Sequence, residues 1–305
     1  MLEKQSNLKA WLYLLPAMVL LIVFTFYPLF NAFYLAFLKN YSYLNGTADG
    51  YTLFGNFIDV IKGANFRTAM KNTSIIVFVS VPISVTVAIL ISVALNSIKK
   101  FQGFFQTIFF LPYVTNAIAI GMAFAFIFHQ DYGLLNYVLG FFGVDPVNWV
   151  GLGASWNTAM FALLVYTVWG GLAFKIMVFL AGLQNIDKQY YDAARVDSTP
   201  KWRVLSRITV PLLSPMIAYI TITSFIGAFK AYRTIIGMFG PTLRPPGTLS
   251  KDSLITIVGL VYDSIANADA VGEISRAAAA SIILFLITLS FTGIQVLVSK
   301  KRVHY

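Results

Sequence analysis

Long runs without a charged residue constrain this sequence more than any other feature. Five segments contain no Asp, Glu, Lys or Arg, and they cover residues 10–38, 72–98, 101–130, 208–229 and 277–299. A sixth segment, 155–183, is interrupted only by Lys175. A helix of about 20 apolar residues crosses the hydrocarbon core of a bilayer, so each segment is long enough to do so. We therefore predict an all-α integral membrane protein with six transmembrane helices. The predicted spans are 10–38, 72–98, 104–130, 155–183, 208–230 and 277–299.

The composition supports a membrane protein and explains the basic charge. Hydrophobic residues make up 58% of the 305 residues and charged residues only 11%, less than half the charged share of soluble domains. The net charge of +10 would suggest nucleic-acid binding in a soluble protein. Here the basic residues cluster before span one, after spans two and six, and between spans four and five. The positive-inside rule places these segments and both termini in the cytoplasm, so we expect contact with membrane lipid and not with nucleic acid.

Several chemistries find no support in the sequence. Cysteine is absent, which excludes a disulfide, a thiolate nucleophile and a Cys metal site. His129 has no second His or carboxylate nearby in the pattern, and we expect no metal site there. The phosphate-binding pattern Gly-x-x-x-x-Gly-Lys-Ser/Thr is also absent, so we expect no ATPase activity by that route. The apolar run from Trp11 is longer than a signal-peptide core and lacks a small-residue cleavage site, which favours a retained first span.

A charged island separates spans four and five. Between residues 187 and 207, three aspartates alternate with five basic residues, so this segment must lie in water. Ala193 and Ala194 are strong helix formers that let a partner approach closely. The Ser-Thr-Pro sequence at 198–200 forms a stop followed by a restart. The pattern therefore predicts a helix, a turn and a second helix.

Three short groups in this island stand at a characteristic spacing. They are Asp-Ala-Ala at 192–194, Ser198, and Ile-Thr-Val-Pro at 208–211. This arrangement resembles the cytoplasmic coupling loop of permease subunits in binding-protein-dependent ABC importers. The pattern in that family is Glu-Ala-Ala, three residues, Gly, nine residues, and Ile-x-Leu-Pro. Asp192, Ser198 and Val210 depart from it, and Ser is less permissive than Gly where a turn needs a positive φ.

Two further segments resemble the carbohydrate-uptake class of that family, which includes maltose-type and glycerol-phosphate-type systems. One precedes span two and consists of Gly-Asn-Phe at 55–57 and the run from Phe66 to Lys-Asn-Thr at 71–73. The other is the aromatic run 104–114, although a lipid-facing helix requires the same composition.

The resemblance implies a single transmembrane permease domain over residues 1–305, with a cytoplasmic coupling helix in loop 187–207. It implies a heterodimer with a second permease subunit, two ATPase subunits that bind ATP and Mg, and an extracytoplasmic binding protein that delivers a carbohydrate substrate. It places the protein in a prokaryotic plasma membrane as a transport subunit, not an enzyme, that binds no cofactor itself. The residues that it assigns to ATPase coupling are Tyr191, Asp192, Ala193, Ala194, Arg195, Asp197, Ser198, Ile208 and Pro211.

Polar and aromatic residues in or near the spans are candidates for a substrate path. They are Tyr113, Asn116, Trp169, Lys175, Lys230, Tyr232 and Arg233. Aromatic faces and amides suit sugars, although such residues more often form interfacial belts or helix packing. Lys175, inside span four, either faces a cavity or partner or snorkels towards the cytoplasmic headgroups near Gln184. Lys230 and Arg233, three apart and so on one helical face, either anchor headgroups or favour an anionic sugar, such as a uronic-acid-containing or phosphorylated one.

Two other classes of protein are open alternatives. An ion-gradient-driven secondary transporter predicts buried carboxylates or broken helices paired in two inverted halves, yet no Asp or Glu lies inside a predicted span. A membrane-bound enzyme needs a catalytic carboxylate, His or metal cluster at membrane depth, and the sequence shows none.

Overall fold

The protein is built from helices in the part of the chain that the computed structural model describes, residues 7–98, 100–248 and 253–302. The helices are α1 (Asn7–Leu21), α2 (Tyr27–Ala36), α3 (Gly55–Lys62), α4 (Ala64–Ile75), α5 (Val81–Ser97), α6 (Gln102–Val114), α7 (Ala117–Ile127), α8 (Leu134–Gly140), α9 (Trp156–Gly170), α10 (Leu172–Gln184), α11 (Lys188–Val196), α12 (Lys201–Val204), α13 (Val210–Leu212), α14 (Ser214–Phe229), α15 (Arg233–Phe239), α16 (Ile257–Ala266) and α17 (Glu273–Arg302). Short π-helical turns at Ile22–Phe26, Ile76–Ser80 and Leu205–Thr209 join α1 to α2, α4 to α5 and α12 to α13.

Within the described residues, four helical stretches are long and apolar enough to cross a membrane. They are Lys9–Ala36, Ala64–Ser97, Trp156–Gln184 and Glu273–Ser299. Two bent pairs, α6 with α7 and α12–α13 with α14, raise the number of spans to six if each pair counts as one. The all-α, multi-span architecture is therefore confirmed, and the exact set of six spans stays a prediction.

Each π-helical turn precedes a proline near the start of the following helix. Pro28, Pro82 and Pro211 occupy the second position of α2, α5 and α13. Proline lacks an N–H group, and its ring clashes with the carbonyl four residues earlier, which lies inside the π-helical turn in each case. A locally wider helix moves that carbonyl aside, so the helix continues through its proline.

The segments predicted as spans at 104–130 and 208–230 are both broken. α6 and α7 meet at 103°, and α12–α13 meets α14 at 71°. Pro112 lies inside α6, and Asn116, in extended conformation, restarts the helix by accepting a hydrogen bond from the Ile118 amide at 2.8 Å. Pro215 lies in the first turn of α14. The structure thus replaces a continuous helix by two pieces in each segment.

The chain forms two compact units. The first runs through Gly63 and resumes over Leu260–Ile283, and the second covers Ala64–Gly259 and the chain from Leu284 onward. In the first unit, the buried Asn56 amide donates to the carbonyls of Ala36 and Leu38, at 2.8 Å each. These bonds satisfy carbonyls at the end of α2 that lack helical partners.

The second unit contains an apolar core. It joins α5, α10, α14 and the later part of α17, and its fully buried side chains include Ile176, Phe179 and Ile220. Ser92 ties α5 to α10 because its hydroxyl donates to the Ile176 carbonyl at 3.1 Å. The core fixes the helices that carry the charged island at one end.

Candidate coupling and translocation sites

α11 occupies the middle of the charged island. Asp187 caps its N-terminus, where the carboxylate accepts a hydrogen bond from the Gln189 amide at 2.9 Å. The helix ends at Val196, and α12 begins at Lys201, directly after Pro200. The predicted helix, turn and second helix therefore match the elements in the structure.

The turn after α11 depends on Ser198, which has a φ of +50°. Across this residue the Thr199 amide donates to the Ala194 carbonyl at 2.9 Å, which closes the end of the helix. A positive φ is free of strain for Gly and costly for residues with a Cβ. Ser198 stands where the family pattern has Gly, and it adopts a positive φ that is less favourable for Ser than for Gly.

The two alanines of α11 have different environments. Ala194 is 6% exposed and packs inside this chain, whereas Ala193 is exposed. Both line a concave site of about 400 Å³, together with Asp187, Gln189, Tyr190, Asp197, Thr199 and Ile208. Only Ala193 is therefore free to make direct contact with a partner over much of its surface.

The remaining residues assigned to coupling have distinct roles in the fold. Tyr191 and Thr209 place their hydroxyl oxygens 3.3 Å apart, which links α11 to the start of the segment containing α13 and α14. Asp192 and Arg195 form an exposed ion pair at 3.2 Å. Such pairs contribute at most about 1 kcal/mol. Pro211 follows the π-helical turn and fixes where the next helix begins.

Sequence reasoning missed a set of exposed apolar side chains around α11. Val196 is 85% exposed and Trp202 is 72% exposed, and the Tyr190 ring is also open to the surroundings. Large apolar residues within a charged segment are the signal that could have identified them. Their exposure is typical of a surface that another protein or the lipid covers.

Tyr113 and Asn116 lie at the break between α6 and α7. The Tyr113 ring stacks on Phe174 of α10, with centroids 5.5 Å apart and an interplanar angle of 20°. Asn116 uses its side-chain oxygen to cap α7. Tyr113 and Asn116 remain exposed, so each combines a structural contact with a free face.

Lys175 is buried and is directed along its own helix. Its ammonium donates to the Gly171 carbonyl at 2.8 Å, and the residue is only 8% exposed. Gly171 makes room for it, because a Cβ at that position would stand 2.8 Å from Nζ. The side chain reaches towards the N-terminal end of α10, away from Gln184. The interpretation as snorkelling towards the Gln184 end is therefore wrong.

Lys230, Tyr232 and Arg233 lie at a second helix break. α14 ends at Phe229, Lys230 is its C-cap, and α15 starts at Arg233. Lys230 and Arg233 are exposed, but they do not share one helical face as predicted. The prediction fails because the helix ends before Arg233, so the three-residue spacing no longer implies a common face.

α7 and α15, which follow these two breaks, cross with their backbones in contact. A Cβ on Gly121 would stand 2.7 Å from the Gly237 Cα, and a Cβ on Gly237 would stand 3.0 Å from the Ile118 carbonyl oxygen. α7 also meets α9, where the Phe124 and Trp169 rings are 5.1 Å apart. The structure thus brings the elements carrying Asn116, Trp169 and Arg233 into one assembly.

Comparison with known proteins identifies the family of the chain. Residues 80–304 match the family described as binding-protein-dependent transport system inner membrane component. The chain belongs to this family. The resemblance seen at 192–211 is thereby confirmed, and the protein is a multi-pass membrane component of such a transport system.

Two curated relatives are similar to this chain over most of their length. The lactose transport system permease protein LacF of Rhizobium radiobacter is 29% identical over 265 residues, which cover 86% of this chain and 85% of the relative. The sn-glycerol-3-phosphate transport system permease protein UgpA of Rhizobium meliloti is 29% identical over 303 residues, covering 98% and 97%.

A solved structure shows the same fold. It belongs to a bacterial ABC transporter involved in the import of the acidic polysaccharide alginate, and it matches with a TM-score of 0.81 at 20% sequence identity. The match covers 97% of this chain and 96% of that chain. The two chains therefore share their overall fold.

Proposed function

We propose that this chain is the transmembrane permease subunit of an ATP-driven importer for a carbohydrate. It acts beside a second permease subunit, receives its substrate from an extracytoplasmic binding protein, and couples to two separate ATPase subunits that bind ATP and Mg. The observation that carries the proposal is the geometry of α11. This capped helix presents the exposed Ala193 beside a concave site, in a chain of the transport-system family.

α11 is the coupling helix in this proposal. A short helix held below the membrane can enter a groove on an ATPase and transmit its rigid-body movement. Tyr191 and Thr209 provide the link, since their hydroxyl contact joins α11 to the helices that continue into α14. Closure of the ATPase subunits then moves α11 and the attached spans together, which switches access to the substrate path.

The carbohydrate assignment is supported by the names of the relatives and of the matching structure. These proteins handle lactose, sn-glycerol-3-phosphate and alginate, which are a neutral sugar and two anionic compounds. In this chain Lys230 and Arg233 are exposed beside a helix break. Lys175 is buried in the preceding predicted span, 155–183. Cations near a path of low dielectric constant favour an anionic substrate, and we include an anionic carbohydrate in the proposal.

The orientation follows from the distribution of basic residues. α11 and both termini face the cytoplasm, because basic residues concentrate there. The segment from Gln130 to Ser155, which has no Lys or Arg, faces outward.

Cross-linking at Ala193 tests the proposal. Ala193→Cys introduces a single thiol into a cysteine-free chain, and a short bifunctional reagent should join it to a co-purified ATPase subunit. Asp145→Cys, exposed between α8 and α9, is the matched control and should give no such product. Equal cross-linking from both positions, or ATPase recovery without any product from position 193, would overturn the assignment of α11.

A further inference from the structure

The Lys-Asn-Thr motif at 71–73 has a structural role that the coupling proposal does not use. Asn72 is 0% exposed, and its side-chain amide donates to the carbonyls of Ser253 and Ile255, at 2.9 Å each. Its side-chain oxygen accepts a hydrogen bond from the Trp156 indole N–H at 3.0 Å. One carboxamide therefore joins α4, the start of α9 and the segment 253–255.

The two neighbours of Asn72 contact the same elements. The Lys71 ammonium lies 3.9 Å from the centroid of the Trp156 ring, a cation–π contact. The buried Thr73 hydroxyl accepts a hydrogen bond from the Ile257 amide, the first N–H of α16, at 3.1 Å. Because an N–H in the first turn of a helix has no helical partner, Thr73 fixes where α16 begins.

The segment 253–257, which Asn72 and Thr73 bind, is also hydrogen-bonded to the helix break after α14. Thr256, between Ile255 and Ile257, is fully buried, and its hydroxyl donates to the Ala231 carbonyl at 2.7 Å. The same hydroxyl oxygen accepts a hydrogen bond from the Gly259 amide at 3.2 Å. Ala231 lies between α14 and α15, where backbone carbonyls lose their helical partners.

We propose that Asn72 and Thr256 are positioning residues for the substrate path. Asn72 fixes the backbone on the N-terminal side of Thr256, Thr73 fixes it on the C-terminal side, and Thr256 fixes the Ala231 peptide. That peptide separates Lys230 from Tyr232 and precedes Arg233, so its position determines where these three side chains stand. The link to substrate rests on the proposed function, whereas the link to the break rests on the hydrogen bonds alone.

The energetic argument favours a rigid connection. An amide or hydroxyl buried without a partner is costly, so each of these groups strongly prefers the observed arrangement. Ser253, Ile255 and Thr256 lie within four consecutive residues, so the carbonyls bound by Asn72 are at most three residues from the hydroxyl that binds Ala231. A change at Asn72 should therefore alter the position of Ala231 through the segment that contains Thr256.

The first experiment measures the position of the break directly. Ala231→Cys places a half-buried thiol at the held peptide of this cysteine-free chain, and its rate of labelling by fluorescein maleimide is measured in the purified complex. Adding Thr256→Val removes the hydroxyl at nearly constant shape and should raise the labelling rate about fivefold, the change in population that one ordinary hydrogen bond produces. Thr256→Ser keeps the hydroxyl and should restore the original rate.

Thr248→Val is the matched control. The Thr248 hydroxyl donates to the nearby Pro245 carbonyl, at 2.7 Å, in the same segment between α15 and α16. Its loss should leave labelling at position 231 unchanged. Asn72→Asp keeps the oxygen that accepts from Trp156 but replaces the donating amide nitrogen by an oxygen that faces the carbonyls of Ser253 and Ile255. This variant should raise the labelling rate at position 231 at least as much as Thr256→Val. If this variant fails to fold, Thr256→Val decides the question alone.

The second experiment measures transport in chains that keep Ala231. Thr256→Val should raise KM severalfold for whichever of lactose, sn-glycerol-3-phosphate and an alginate oligosaccharide the wild-type complex imports, with rates normalised to the amount of assembled complex. Unchanged labelling and KM in Thr256→Val would overturn the proposal, as would equal effects in Thr248→Val. Altered labelling in a complex that imports no carbohydrate, whether neutral or anionic, would support the hold on Ala231 and contradict the proposed carbohydrate function instead.

Discussion

Gly121 and Gly237 cross so closely that a Cβ on Gly121 would stand 2.7 Å from the Gly237 Cα. No side chain can enter this crossing without separating α7 from α15. Gly121→Ala and Gly237→Ala should each lower stability by about 1–3 kcal/mol, the usual cost of inserting an atom into a close-packed contact. Thermal unfolding in detergent measures the effect. Gly227→Ala in α14, where a Cβ would meet nothing within 4 Å, is the control and should be neutral or stabilising.

The two alanines of α11 should respond differently to the same substitution. Ala194→Glu buries a carboxylate inside this chain, so it should lower the Tm as well as ATPase recovery. Ala193→Glu places charge and bulk on an exposed surface, so it should leave the Tm near wild type and reduce co-purification of the ATPase. Normal ATPase recovery and normal uptake in Ala193→Glu would exclude docking at this position.

Ser198 offers a test of the turn after α11. Ser198→Gly removes the strain of a positive φ and should stabilise the protein by up to about 1 kcal/mol, with ATPase recovery retained. Ser198→Val should destabilise it, because a β-branched residue fits this conformation poorly. A chemical-denaturation series measures both changes. A lower stability for the Gly variant than for wild type would show that the turn does not need the positive φ.

The charge of the substrate can be tested at three cations. Lys175→Gln, Lys230→Gln and Arg233→Gln should retain expression and assembly, and at least one should import an anionic sugar more slowly than wild type. Uptake of radiolabelled sugar, normalised to assembled complex, is the measurement. Wild-type rates in all three variants, or a binding protein loaded with a neutral oligosaccharide, would refute the anionic substrate and leave the importer proposal standing.

The orientation of the chain can be tested with single cysteines. Asp192→Cys should not react with a membrane-impermeant thiol reagent added to intact cells, because α11 faces the cytoplasm. The same residue should react after the membrane is opened, since Asp192 is exposed on the structure. Labelling in intact cells would reverse the proposed topology.

The sequence predicts the helices well because a chain in lipid must satisfy its backbone within each segment. Runs free of charge therefore mark spans without knowledge of tertiary contacts. The breaks are less predictable. Pro112 and Asn116 are local signals for the bend at α6–α7. Near the end of α14, by contrast, Gly227 lies inside the helix and no proline or glycine directly follows it, so the assumption of a continuous helix placed Lys230 and Arg233 on one face.

The candidate sites also combine features that the sequence predicts with features that it does not. The form of α11 and its turn follows from a local pattern of capping and helix-forming residues, and the sequence predicts it. The different burial of Ala193 and Ala194 depends on how α11 packs in the folded chain, which a local pattern does not reveal. The role of Asn72 depends on contacts with Ser253 and Ile255, far along the chain, and hydrophobic periodicity carries no information about such pairs.

The energy source of transport tests the central claim most directly. The assembled complex with its binding protein, reconstituted in vesicles, is supplied with labelled sugar in the presence of an ionophore that abolishes ion gradients. An ATP-driven importer should continue uptake under these conditions and stop when ATP is removed. Uptake that ends with the ionophore and does not depend on ATP would contradict the account and indicate an ion-gradient-driven transporter.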